Sequence, residues 1–154
     1  HPETIVRRLN IVNGTIVTVH VECSDTISGI AKHVRNAGAK FGLALNPETP
    51  VESVREYLAY LDVILLMLTP PGFSGLKIAS GVMDKVAKLR SFLQREHANP
   101  EIEVDGGVGL EHAEYTSRLG ANIFVGGTTS IFKRGELLST TVAALRSRVA
   151  DSSE

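Results

Sequence analysis

Three short apolar runs in this sequence each end in a glycine-rich turn. Met-Leu-Thr-Pro-Pro-Gly-Phe-Ser-Gly occupies 67–75, Val-Asp-Gly-Gly 104–107 and Val-Gly-Gly-Thr-Thr-Ser 125–130. Bare backbone at successive strand ends suits an oxyanion held by main-chain N–H groups, because no side chain stands between amide and ligand. The middle turn also carries a carboxylate, Asp105, at the strand tip. Together these residues predict a sugar-phosphate site on a parallel α/β framework, with one acid beside it.

The elements that must position them alternate regularly. Pro2 to Leu9 predicts a helix with Pro in its first turn. Thr15 to Cys23 is β-branched and alternating, as a strand requires. Ser24 or Asp25 is placed to cap a helix striped by Ile27, Ile30 and Val34 and stopped at Asn36-Ala37-Gly38. Phe41 to Leu45 is the next strand, and Val51, Val54, Tyr57 and Leu58 mark a helix. Leu61 to Leu68 is nearly all apolar, as expected of a strand covered on both faces. Val82, Val86, Leu89 and Leu93 stripe a longer helix, and Ile102 to Asp105 is a strand. Ala113 to Leu119 is a helix stopped by Gly120, Ile123 to Val125 the last strand, and Leu137 to Val149 the last helix. Repeated βα alternation without hairpin signals predicts an all-parallel sheet.

Strand parity separates a barrel from an open sheet. Thr18, His20 and Glu22 share one side of their strand, and Glu103 and Asp105 share one side of theirs, each opposite Val or Ile. In a barrel the apolar side meets the helices and the polar side points into the lumen. An open sheet covered on both faces has little use for buried rows of carboxylates. A barrel is favoured, as a single domain over 1–150 with a frayed polar tail at 151–154.

Composition fits that reading. The 154 residues are 43% hydrophobic, and 16 Lys and Arg balance 17 Asp and Glu, which gives no electrostatic case for nucleic acid or a membrane surface. One cysteine, Cys23, excludes an internal disulfide framework and fits a reducing compartment. The longest apolar run, Val63 to Leu68, is far too short to span a bilayer, and nothing at the start resembles a signal peptide. A cytoplasmic protein is expected.

At this level of detail the sequence resembles a known family. His-Val-Glu (20–22), Leu-Asn-Pro-Glu-Thr-Pro (45–50), the 67–75 stretch, Val-Asp-Gly-Gly-Val (104–108) and Phe-Val-Gly-Gly-Thr-Thr-Ser-Ile-Phe (124–132) are similar, in order and spacing, to successive signatures of the ribulose-phosphate 3-epimerase family. The resemblance implies a (β/α)8 TIM barrel of the ribulose-phosphate-binding type. It covers the family's third helix through its eighth βα unit. The implied structure is therefore an N-terminally incomplete barrel of about five parallel strands. The family's first three strands, which have no counterpart here, carry a serine, two histidines and an aspartate, three of which are metal ligands. Asp105 is the one ligand position that this sequence holds.

Five strands cannot close an eight-stranded barrel, and the open edges favour pairing with another chain, so a homo-oligomer is expected. Residues beyond this stretch, a shortened gene product or exchange between two copies would each account for the absent strands. The first two are favoured, because the sequence starts inside a βα unit.

The activity implied is that of a sugar-phosphate isomerase. It would epimerise C3 of D-ribulose 5-phosphate to D-xylulose 5-phosphate by metal-assisted proton abstraction and return through an enediolate. The alternative is a non-catalytic phosphosugar-binding or assembly module derived from the same barrel. By resemblance, Asp105 is both an acid/base group and a ligand of a divalent cation, zinc first, with iron, manganese or cobalt also possible. The phosphate would lie on N–H groups of Gly72, Phe73, Ser74 and Gly75, of Gly106 and Gly107, and of Gly127 and Thr128, the last turn opening a short helix. Met67 would form an apolar floor against the sugar, or simply fill the core. An Asp before Gly also caps turns and Gly serves ordinary tight turns, but three converging tips favour the site.

His1 adjoins Pro2 too closely to match the family's ligand histidine. His20 and Glu22 are expected to interact within the barrel interior or with the site, as satisfied residues rather than catalysts, and His33, His97 and His112 are expected to face solvent. Pro70 stands where the family has asparagine, Leu76 where it has glutamine, and Ser74 where glycine or alanine is usual. These departures bear on the exact substrate and on the activity itself more than on phosphate binding. No Asp-x-Lys-x-x-Asp cluster of the related decarboxylases is present.

Overall fold

Sheet topology follows the apolar spacing closely. The computed structural model describes residues 1–23, 26–72, 76–78 and 81–150. A short helix α1 (Pro2–Val6) precedes β1 (Ile16–His20), α2 (Ile27–Asn36), β2 (Lys40–Leu45) and a 3₁₀ segment (Val51–Tyr60). Then come β3 (Val63–Met67), α3 (Lys85–Arg95), β4 (Glu101–Asp105), α4 (Leu110–Arg118), β5 (Ile123–Phe124) and α5 (Leu138–Ala150). The expected cap at Ser24 or Asp25 and the tail at 151–154 lie outside the described residues.

All four strand pairings are parallel, and the sheet order is β1-β2-β3-β4-β5. Parallel strands laid down in chain order by right-handed crossovers put every connecting helix on the same face. A doubly wound sheet reverses direction once and is covered on both faces. No reversal occurs here, so the sheet has a helix face and a concave face, the architecture of an incomplete barrel.

Burial separates the two faces as parity predicts. Phe41, Leu43, Leu45, Ile64, Leu66, Ile102 and Val104 join Ile30 and Val34 of α2, Leu89 and Phe92 of α3 and Ala113 of α4 in one core. Each large side chain fully buried there contributes roughly 1.5–3 kcal/mol. On the concave face the register sets Thr18 beside Gly42, His20 beside Ala44, Leu65 beside Glu103 and Met67 beside Asp105. Val63 and Met67 are buried from that side too, which accounts for the unbroken apolar run of β3. Among the described residues, no helix is long and apolar enough to cross a membrane.

Several boundaries differ from expectation, each for a local reason. β1 stops at His20 instead of continuing to Cys23, and Val21–Cys23 form a 3₁₀ turn. There Glu22 leaves the strand to accept hydrogen bonds from the Asn46 N–H (3.0 Å) and the Thr49 hydroxyl at the tip of β2. The element expected as a helix from Val51 is a ten-residue 3₁₀ segment. Val51, Val54, Tyr57 and Tyr60 recur every three residues, and a three-residue repeat keeps them on one buried or half-buried face where 3.6 would not. α1 ends at Val6, short of Leu9. α3 begins at Lys85, leaving Val82 packed on the core from the preceding turn.

Candidate functional site

Asp105 closes β4 on the concave face, directly beside Met67 in the β3–β4 register. Its carbonyl accepts the Leu68 N–H at 2.6 Å, so the ladder holds the residue to its last atom. Its carboxylate Oδ1 accepts the Gly106 N–H at 2.6 Å, which fixes the side chain against the turn it opens. Gly106 and Gly107 follow with φ of +105° and +65°, left-handed values that side chains resist. A Cβ on Gly106 would also meet the Thr69 hydroxyl and come within 2.8 Å of the Thr69 backbone nitrogen. The two strand tips touch backbone to backbone.

The β5 tip contributes a tight turn. The Gly127 carbonyl accepts N–H groups from Ser130 (3.3 Å), Ile131 (2.8 Å) and Phe132 (3.0 Å). No helix opens here, contrary to expectation, and the next helix is α5 from Leu138. The donors at this tip are therefore local amides without a helix dipole behind them. Among the described residues, the N–H groups of Gly107, Thr128 and Thr129 have no backbone or side-chain acceptor. Gly127 has nothing within 4 Å of where a Cβ would project.

These tips enclose one cavity of about 420 Å³. Of the residues singled out from sequence, Met67, Gly72, Asp105, Gly106, Gly107, Gly127 and Thr128 line it together. Phe73, Ser74 and Gly75 lie outside the described residues. Sequence reasoning missed Thr69, Pro71, Val108, Val125, Thr129 and Phe132 in the lining. Parity with Ile123 would have found Val125. Nothing local marked Phe132, which the Gly127 turn folds back to the cavity mouth. A larger groove of about 710 Å³ lies between the β2 tip and α3, lined by Glu48, Glu52, Lys88 and Arg95 among others, and contains none of these site residues.

Glu103, two residues before Asp105, faces the same concave side, half-buried. Burial first, and the neighbouring Asp105 carboxylate second, raise its pKa above the ordinary carboxylate value. A raised acid binds its proton more tightly in the folded chain than in the unfolded one. The resulting cost is absent at low pH and appears as pH climbs from the ordinary value through the raised one. Glu103→Gln is expected to melt higher than the parent at about pH 7 and level with it near pH 4, by calorimetry at both pH values.

The remaining titratable groups divide differently from expectation. His112 is half-buried, not solvent-facing: its Nδ1 lies 3.2 Å from the Gly109 N–H and 3.0 Å from the Gly107 carbonyl, holding the turn that carries the glycine pair. His33 is half-buried in a groove with Val6 and Ile30, and His97 is exposed. Glu22 is a satisfied acceptor, as expected. Burial raises its pKa, but hydrogen bonds from Thr49 and Asn46 and the nearby His20 outweigh that and leave it lowered overall. His1 is exposed and pairs with Glu3 at 3.4 Å. Among the described residues, no three His, Cys, Asp or Glu side chains gather as a cation site.

Residues 1–132 match the profile of a family described as the ribulose-phosphate 3 epimerase family. A ribulose-phosphate 3-epimerase of Mycobacterium leprae is 33% identical over 132 residues, covering 86% of this chain and 58% of that protein. The chloroplastic ribulose-5-phosphate-3-epimerase of Arabidopsis thaliana is 36% identical over 115 residues, covering 73% of this chain and 41% of that one. The chain spans about half the length of the curated relatives it matches. A solved structure of a mutant tryptophan synthase α-subunit from Pyrococcus furiosus superposes with a TM-score of 0.62 at 18% identity. It covers 91% of this chain and 55% of that one, a likeness of fold.

Proposed function

This chain belongs to the ribulose-phosphate 3-epimerase family, and on that premise we propose that it serves a sugar-phosphate 3-epimerase acting on a phosphorylated ketose. Ribulose 5-phosphate and xylulose 5-phosphate are the proposed pair, in a cytoplasmic homo-oligomer. The observation that carries the reading is the meeting of one carboxylate with unpaired amides of two strand tips in a single cavity. Phosphate seated on the Gly107, Thr128 and Thr129 N–H groups would be held by fixed dipoles, with the Thr hydroxyls available to the same oxygens. Asp105 would then face the sugar from the same cavity.

Epimerising a carbon next to a ketone removes a proton on one face and returns one on the other, so it takes two acid/base groups. Asp105 is proposed as one of them. Its Oδ1 is held by the Gly106 N–H, and the second oxygen is the one proposed to move the proton. A divalent cation, zinc first, is proposed with Asp105 as a ligand. Among the described residues, no group of three His, Cys, Asp or Glu side chains completes a site for it.

Asp105 is the sole titratable side chain among the cavity's described lining, and Pro70 stands there in place of the family's asparagine. That favours, as a second reading, a non-catalytic phosphosugar-binding module. Calorimetric titration with ribulose 5-phosphate, paired with exchange of the C3 hydrogen into deuterated water, separates the two. Binding with exchange supports the enzyme, and binding without exchange supports the module. No binding at all removes both.

Replacing Gly127 tests the phosphate assignment directly. The site for a Cβ is open, so Gly127→Val should fold normally while its side chain fills the cradle. The affinity for phosphorylated sugars is expected to fall more than about tenfold, the equivalent of about 1.4 kcal/mol. That for unphosphorylated ribulose should stay level. Equal losses would contradict the assignment.

A further inference from the structure

We infer that His20 is a further substrate-binding residue, hydrogen-bonded through Nε2 to a sugar hydroxyl at the end of the ligand remote from the phosphate. The inference rests on the reading of the cavity given above. His20 ends β1 on the concave face, in register with Ala44, and through Leu65 it shares a level with Glu103, just below Asp105. Three strand spacings, about 14 Å along the sheet, separate it from β4, and the sheet curves inward between them. The β2 residues beside it on that face are Gly42 and Ala44, so no bulky side chain of β2 intervenes.

The imidazole is held in place. Its Nδ1 lies 3.3 Å from Glu22 Oε2. Oε1 of the same carboxylate accepts the Asn46 N–H and the Thr49 hydroxyl, which anchors Glu22 to the β2 tip. A carboxylate can only accept, so Nδ1 is the donor of that pair and Nε2 is the ring atom left to meet a ligand. Nε2 has no hydrogen-bond partner among the described residues. The side chain is 26% exposed, partly open from the concave side. A polar group oriented by a built-in partner, with its other face unused, is arranged to hydrogen-bond a hydroxyl. The phosphate cradle at β4 and β5 and His20 at β1 would then grip a phosphosugar from opposite walls.

The test compares two ligands in the full-length protein. Affinities for inorganic phosphate and ribulose 5-phosphate are measured by calorimetry in the parent, His20→Phe and His20→Gln, alongside thermal melting of each. His20→Phe is expected to weaken ribulose 5-phosphate about tenfold and to leave inorganic phosphate within twofold. His20→Gln, which keeps a hydrogen-bonding group that can donate or accept, should recover most of the loss. The inference is overturned if His20→Phe weakens both ligands alike or neither, or if Gln recovers nothing while both variants melt like the parent. A parent that binds ribulose 5-phosphate no better than inorganic phosphate also overturns it and leaves the phosphate cradle standing. A parent that binds neither removes both.

Discussion

Asp105→Asn is expected to lower epimerase turnover by about 10³-fold, within the range of a lost general acid/base, while ligand affinity stays within a few-fold. Asn is chosen because its carbonyl oxygen can still accept the Gly106 N–H that Asp105 accepts at 2.6 Å. The turn and its amides should therefore survive, and only the proton-carrying capacity disappears. The side chain also loses the negative charge that helps raise the Glu103 pKa, so any change in folding should be toward greater stability. Two measurements suffice: initial rates of C3 epimerisation under saturating ribulose 5-phosphate, and calorimetric affinity for inorganic phosphate. Loss of rate with retained affinity fits the proposed role. Retained rate would take Asp105 out of the chemistry.

The second large effect is structural. Gly106→Ala should destabilise the fold by about 3 kcal/mol, the sum of a side chain forced to a left-handed φ and one driven into Thr69. The backbone value of +105° and the close Thr69 contacts act together, so relaxation that eases one worsens the other. Thermal melting should fall by about 10 °C for a chain of this size. Gly127→Val provides the contrast, since that position is open and its melting temperature should hardly move. If Gly106→Ala melted with the parent, the tips of β3 and β4 would be further apart than described. The shared cavity would then lose its floor.

Parts of this architecture were legible because they depend on short-range periodicity. The alternation at Thr18 and His20, the apolar run of β3 and the Glu103–Asp105 pair each reported which face a residue takes, since side chains along a strand must alternate. Parity alone thus predicted a helix face and a polar concave face. The glycine pair at 106–107 was likewise readable, because a left-handed turn admits few other residues. Element ends were less so. β1 stops where Glu22 finds donors on β2, twenty-four residues further along. The Val51–Tyr60 segment could have been recognised from its three-residue spacing, but Val51, Val54, Tyr57 and Leu58 also fall on one face of a helix of 3.6 residues per turn, which hid it.

The site divides along the same line. Amino-acid order determined the kinds of group available: one carboxylate at a strand tip, bare amides after three strands, and a histidine two residues before a glutamate. Family membership was equally contained in that order, through ordered motifs rather than any one of them. Tertiary structure alone decided which of these groups meet. It gathered Asp105, Gly107 and Thr128 around one cavity, brought Phe132 to its mouth, and placed His112 behind the glycine turn instead of in solvent. The reason is physical. Alternation and turn chemistry act over a few residues, whereas convergence depends on strand order and register, which arise from packing between segments distant in the chain.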